Sequence, residues 1–298
     1  MEWTLTEPEL SIRKAEFFGL INVWPSTTEL DPRGWLSNFS EEDQSLAGHL
    51  LSAFTYINKE MTSALFVSAF HQLSMDPYLT GESGSRHSNW EWFRQNAVIT
   101  HVEGETPSTT DSGHIFARLA RTVLRIPECN IVTPERALRI LTSGSQRPIV
   151  FVDDFLGSGS QFEATWKRPY SISSAHESSF LVESLHQQTN VFFIPLIATK
   201  LGLDNIFKLN GNIRVCATHV LDEKDSALSA ESEIWPEELR DSGAQFILSS
   251  SERAGIPIEE REGFGKLGLC LSFEHSTPDA TLPIFYHEKN WHPLIKRS

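Results

Sequence analysis

The sequence predicts an α/β protein, a mostly parallel sheet with flanking helices, preceded by an N-terminal helical region. Two apolar runs carry this prediction. Pro148-Ile149-Val150-Phe151-Val152 and Val191-Phe192-Phe193-Ile194-Pro195-Leu196-Ile197-Ala198 are continuous rather than alternating, as strands buried on both faces are. Helix-like stretches lie between and around them, and strands that alternate with helices imply parallel pairing through crossovers.

Taken in order, the first element is a helix opening at Ser40. Ser40-Glu41-Glu42-Asp43 has capping-box spacing, in which a hydroxyl accepts from an orphan N–H and an acid three residues on reaches back. Leu46, Leu50, Phe54, Ile57, Met61 and Leu65 then recur at intervals of four and three, which puts them on one helix face as core packing. Phe66, Phe70 and Leu73 extend the pattern until Asp76-Pro77 ends it. Thr80-Gly81-Glu82-Ser83-Gly84-Ser85 is a loop by composition.

Beyond the loop, Ala97–Val102 reads as a strand and Ile115–Leu124 as a helix. The proline of the Val191–Ala198 run argues against a central place for that strand. Gly202–Leu209 suits a short helix and Ile213–Val220 a last strand. Three zones follow: a helical region over 1–90, an α/β core over 91–222, and a hood or tail over 223–298 packed on the core.

Composition narrows the partners. With 25 Lys and Arg against 39 Asp and Glu, the formal charge is −14, and that field repels polyanions. No basic run offsets it, so there is no strong direct nucleic-acid signal. The start of the chain has early acids, no basic n-region and no apolar stretch, and the longest apolar run falls far short of a membrane span. The expectation is a cytoplasmic protein without a membrane partner. Cys129, Cys216 and Cys270 are widely spaced and read as buried small hydrophobes of a reducing compartment. The histidines show no HExxH or paired-ligand spacing, so no dedicated zinc site is expected.

The chemistry concentrates where the first apolar run ends. Asp153 and Asp154 follow the strand, and Gly157, Ser158, Gly159, Ser160 and Gln161 form a small-residue loop before a helix that starts near Phe162. Acids at the carboxyl end of a parallel strand stand where α/β sheets bind ligands. Gly157 and Gly159 permit positive φ and close approach of backbone N–H groups to a phosphate, and the helix N-terminus adds donors and a favourable dipole.

This segment resembles type I phosphoribosyltransferases, whose motif is a hydrophobic strand, two adjacent acids, two apolar residues and a Thr/Ser/Gly loop. The resemblance implies that Asp153 and Asp154 hold the ribose 2- and 3-hydroxyls and that Gly157–Gln161 grips the 5-phosphate. It places a pyrophosphate loop at Glu103–His114, with Ser108, Ser112, Gly113 and His114 as contacts beside Pro107 and Asp111. No Lys or Arg lies in that stretch, so Lys200 and Arg118 are the candidates for cationic help to the leaving group, although Arg118 also suits a solvated helix face. Mg²⁺ is expected with phosphoribosyl diphosphate, with Asp153 and Asp154 in indirect contact. Purine-type members carry a general-base acid where Gly157 stands, so purine salvage loses ground. Orotate-type members also lack that acid.

More specifically, the chain is similar to phosphoribosyltransferase-like effectors of bacterial conflict and antiphage operons, some retron cassettes among them. Trp35-Leu36-Ser37-Asn38-Phe39, the Asp153–Gln161 loop and Thr277–Pro283 leading to Trp291-His292-Pro293-Leu294 carry that similarity. It implies an intracellular effector acting on nucleotides and restrained by an operon-encoded protein partner. Two functions stay open: a transferase or nucleotide-degrading enzyme, and an inactive module that senses a nucleotide or docks on a partner. Of the other readings of the acid pair, a Walker B strand needs a GxxxxGK[ST] loop, and the sole Gly-Lys, Gly265-Lys266, has Glu260 where the first glycine belongs. A receiver-type acid pair does not fit the Gly-Ser loop that follows, and a plain strand-to-helix turn with solvated acids is the remaining alternative.

Overall fold

The computed structural model describes residues 6–80, 85–104, 113–174, 176–186 and 190–297. The chain divides into two units, one of Met1–Lys59 with Leu221–Ser298, the other of Glu60–Val220.

The first unit opens with α1 (Glu7–Leu20), α2 (Pro32–Leu36) and α3 (Gln44–Ala53). Pro32 at the first helical position and the Asp31 carboxylate, which accepts from the Gly34 N–H at 3.0 Å, start α2. The helix expected from Ser40 starts later. Residues 41–43 form a turn in which Ser40 Oγ accepts from the Asp43 N–H at 3.4 Å, and α3 follows.

The long apolar stripe is not one helix. Phe54 takes extended backbone, and Thr55–Ile57 (β1) pairs in parallel with Leu271–Phe273 (β9). Of the six stripe positions, Leu50, Phe54 and Ile57 are buried, Leu46 and Leu65 are half-buried and Met61 is exposed, so the spacing marked only part of the core. Three-and-four spacing also fits a helix that runs into a strand, and pairing with a distant segment decided between them.

The second segment of this unit adds α12 (Arg240–Arg253). Its core is aromatic. Trp35 stacks on Phe285 at 5.3 Å between ring centroids, and Phe39 meets Trp291 edge-on at 5.3 Å. Both indole N–H groups of Trp35 and Trp291 donate to the Ile284 carbonyl, at 2.8 and 2.9 Å, so burying them leaves no donor stranded. The aromatic tail is therefore core.

The second unit holds α4 (Lys59–Gln72), α5 (Pro77–Thr80), α6 (Arg86–Asn96), β2 (Val98–His101), α7 (Gly113–Thr122), α8 (Pro134–Thr142) and β3 (Ile149–Leu156). After β3 come α9 (Ser160–Lys167), the hairpin strands β4 (Tyr170–Ser173) and β5 (His176–Ser178), and α10 (Phe180–His186). β6 (Val191–Thr199), α11 (Lys200–Leu209), β7 (Arg214–Val215) and β8 (His219–Leu221) complete the order. α4 buries Thr62, Phe66, Ala69 and Phe70 and leaves Met61 exposed, because the helix restarts at Lys59 in a new register.

The sheet runs β2-β3-β6-β7, parallel throughout, and β8 also pairs with β6. One face buries Phe151 and Phe193 under Leu138, Phe162, Trp166, Phe180 and Ile206 of α8 to α11. On the other face Phe192 meets Phe93 of α6 at 5.4 Å, and Phe116 of α7 meets Phe66 of α4 at 5.5 Å. Helices cover both faces, which explains the continuous apolar runs.

Three expectations are corrected here. β6 is central despite Pro195. The Asn190 carbonyl accepts from Ile149 on the β3 side and the Phe193 carbonyl from Cys216 on the other, so alternation turns the proline nitrogen away from β3. On that side β7 stops at Val215, and bonding resumes at the Leu196 carbonyl, which accepts from Thr218. The proline occupies that gap. The same gap splits the expected strand Ile213–Val220 into β7 and β8. The cysteines also differ from expectation: Cys270 is buried, Cys216 half-buried and Cys129 exposed.

Candidate functional site: the carboxyl edge of the sheet

β3 runs further than the apolar residues alone require, and the acid pair lies within it. Asp153 and Asp154 are 4% and 7% exposed, and the Asp154 N–H donates to Asp153 Oδ1 at 3.0 Å. The pleat sends consecutive side chains to opposite faces. Asp153 follows Phe151 toward α9, and Asp154 follows Val150 and Val152 toward α7.

The loop then turns into α9 through Gly159, whose φ of +85° is the left-handed conformation that glycine tolerates. Gly157, expected to share that role, does not take positive φ. The close approach here is Gly202's: a Cβ on Gly202 would fall 2.4 Å from the Gly157 carbonyl oxygen, so the loop rests directly on the start of α11.

Three residues that sequence reasoning missed fasten this loop. The Thr199 hydroxyl donates to the Gly157 carbonyl at 2.6 Å while accepting from the Gly202 N–H at 3.0 Å, and Asn205 Nδ2 donates to the Ser158 carbonyl at 2.9 Å. Thr199 is thus both the N-cap of α11 and a clamp on its neighbour. With two loop carbonyls held by α11, the N–H groups of Ser158, Gly159 and Gln161 find no acceptor among the described residues. The Ser160 N–H and hydroxyl both meet Ser158 Oγ, at 3.3 and 3.1 Å. Unpaired N–H groups beside a helix N-terminus form a nest for an anion.

Next to the acids, the β2–α7 junction brings together two histidines. His101 ends β2, pairs in register with Val152 and is buried, and the exposed His114 lies with its ring centroid 4.8 Å away. Gly113 makes the approach possible, since a Cβ there would be 2.4 Å from His101 Cβ. Ser108 and Ser112 lie outside the described residues.

The residues entering this junction are anchored on α9 and β4. Glu103 forms an ion pair with Arg168 at 2.8 Å and accepts from the Tyr170 hydroxyl at 2.7 Å, and Arg168 also donates to the Gly104 carbonyl at 2.7 Å. Burial, with the neighbouring Glu103 carboxylate second, pushes the Tyr170 hydroxyl well above the usual phenol range. Thr165 exchanges hydrogen bonds with the Glu103 backbone at 3.0 and 2.9 Å. No sequence motif announces this network.

Lys200 is the first residue of α11, exposed at the carboxyl edge of β6, the strand beside β3. Arg118 lies on the exposed side of α7, and its carbonyl accepts from the Thr122 hydroxyl. Among the described residues no group of three or more His, Cys, Asp or Glu could hold a metal ion, and no helix is long and apolar enough to cross a membrane.

A parallel sheet covered on both faces, with paired acids running into a glycine-turned, helix-capped loop, defines a phosphoribosyltransferase-like α/β protein. The family model described as PRTase-CE matches residues 32–297, and the chain belongs to that family. No curated protein matches the chain closely enough to lend it an activity.

Proposed function

We propose that the carboxyl edge of β3 binds a phosphoribosyl group and that the protein transfers it, or removes it from a nucleotide, with pyrophosphate as the other participant. One observation carries the reading. The buried pair Asp153-Asp154 leads directly into the loop Gly157–Gln161, in which α11 and its N-cap hold the Gly157 and Ser158 carbonyls and the N–H groups of Ser158, Gly159 and Gln161 have no acceptor among the described residues. A ribose 5-phosphate has complementary chemistry, with hydroxyls to donate to carboxylates at one end and a dianion for the nest at the other.

In transfer, the bond from ribose C1 to the pyrophosphate oxygen breaks, the pyrophosphate leaving with the electron pair. A nucleophile then bonds to C1 and loses its proton to solvent or a base. Positive charge builds at C1 meanwhile, and nearby carboxylates stabilise it. Asp153 and Asp154 supply that charge. As oxygen donors they would also suit indirect contact with Mg²⁺ carried by the substrate, and that ion would supply neutralisation of charge on the leaving group. Lys200 is placed for the same task from the neighbouring strand end.

Family membership and the similarity of Trp35–Phe39 and the C-terminal stretch support the finer reading of an intracellular antiphage effector under a protein partner's control. The second reading, a nucleotide sensor without turnover, is favoured by Gly157 standing where purine-type members carry a base. Titration with ribose 5-phosphate and with phosphoribosyl diphosphate and Mg²⁺, beside Asp153→Asn/Asp154→Asn, tests the site. Wild-type binding lost in the variant supports it, and equal binding by both proteins refutes it. Consumption of the diphosphate separates enzyme from sensor.

A further inference from the structure

We infer that the outer face of α1 pairs with the same helix of a second copy of this chain, in antiparallel orientation. The helix has two unlike faces. Its inner face buries Ser11 and Ala15, and α3 approaches so closely that a Cβ on Gly48 would fall 2.9 Å from the Pro8 nitrogen. Its outer face exposes Leu10, Arg13, Phe17 and Leu20, with Ile21 just beyond the last turn. Intervals of three, four and three make the first four one stripe, the a and d positions of a heptad. The segment that matches the family model begins at residue 32, so α1 lies outside it.

Self-complementarity names the occupant. Leu20, near the end of the helix, projects furthest and is 81% exposed. Toward the start of the helix the surface is concave, where a cavity of about 630 Å³ is lined by Pro8, Ile12 and Arg13 of α1 and by Arg33 and Leu36 of α2. Antiparallel pairing sets Leu20 of each copy against Leu10 of the other, beside that cavity. It also lays Arg13 of each copy over the Phe17 ring of the other, a cation–π contact, whereas parallel pairing would stack Arg13 on Arg13. Charge agrees. Arg13 and Arg33 balance Glu9 and Glu16 along the cavity, so this patch meets its copy without net repulsion in a chain of formal charge −14. The Thr6 N–H and hydroxyl occupy the Glu9 carboxylate at 2.8 and 3.0 Å, and Arg33 occupies Glu16. Arg13 is therefore the cation left for an aromatic ring.

Sedimentation of the full-length chain over a range of concentrations is the experiment. Wild type sediments as a dimer. Phe17→Asp or Leu20→Asp, each changing an exposed side chain and melting as wild type, raises the dissociation constant about tenfold or more. Phe207→Asp, which changes an exposed apolar residue on α11, leaves the dimer intact. Orientation is read with a mild thiol oxidant in a Cys129→Ser background, which removes the exposed native thiol. Leu10→Cys together with Leu20→Cys cross-links two chains, and neither substitution alone does, because like positions then lie about 15 Å apart. A wild-type monomer at every concentration overturns the proposal and leaves the face to a different protein. A dimer that Phe17→Asp and Leu20→Asp do not weaken overturns it as well, and cross-linking by a single cysteine overturns the antiparallel arrangement.

Discussion

The Gly157 carbonyl oxygen occupies the space that any side chain at Gly202 would need, at 2.4 Å from the position of a Cβ. One strand-to-helix junction thus sets the position of the next, and the phosphate loop is shaped as much by α11 as by its own sequence.

Gly202→Ala tests that relationship. The clash is with backbone, which has little room to give, so overpacking costs on the order of 1–3 kcal/mol. Displacement of the loop weakens ribose 5-phosphate at least tenfold. An alanine variant with wild-type melting and affinity would show that the loop does not rest on α11.

Asp153→Asn with Asp154→Asn keeps the shape of both side chains and removes their charge. Each carboxylate that accepts a ribose hydroxyl contributes roughly 1.5–3 kcal/mol of binding, so affinity falls tenfold or more and any turnover is abolished. A melting curve close to wild type, measured alongside, shows that the loss is local.

Gly159→Val places a β-branched residue at a φ of +85°. The strain is about 1–3 kcal/mol, relieved only by moving the turn that opens α9. Circular dichroism should show the fold retained and titration should show the phosphate affinity lost, whereas intact affinity would place the anion elsewhere.

The site was legible where it is local and obscure where it is not. Asp153 to Gln161 is one stretch of chain whose residue types state their purpose. Thr199, Gly202 and Asn205 act on that stretch from about forty residues downstream, and nothing in their own neighbourhood marks them. The fold divides likewise. Buried strands announced themselves by continuous apolar runs, but Thr55–Ile57 became a strand only because Leu271–Phe273 lies beside it. Pro195 misled because a proline is barred from a central strand only where the one neighbour its nitrogen faces needs that N–H.

Asn38→Ala probes the first unit. Asn38 Nδ2 donates to the Trp35 and His292 carbonyls at 2.8 and 2.9 Å, and Oδ1 accepts from the His292 N–H at 2.9 Å. Removing these bonds costs about 1–3 kcal/mol, seen as a lower melting temperature with ribose 5-phosphate affinity unchanged.

The cysteines make a separate prediction. Burial, with Asp76 adding to it, pushes the Cys216 thiol up to about 11. At pH 8 a thiol reagent should label Cys129 first, with Cys216 and the buried Cys270 slow. Because the folded protein holds the Cys216 proton more tightly, its contribution to stability is complete below pH 9, the ordinary thiol value, and is lost as pH rises toward 11. Rapid labelling of Cys216 in native protein would contradict its environment.

The parallel pairing of β1 with β9 also orders events in time. The first unit is built from both ends of the chain, and the strand that joins them is made late, whereas the second unit draws its sheet from one unbroken stretch. During synthesis the ribosome therefore releases all of β2 to β7 while Trp35 and Phe54 still wait for Phe285. The ligand-binding half can be folded before the unit that precedes it in sequence has its core, and a chain cut short after β8 would keep the phosphate loop and lose the aromatic core.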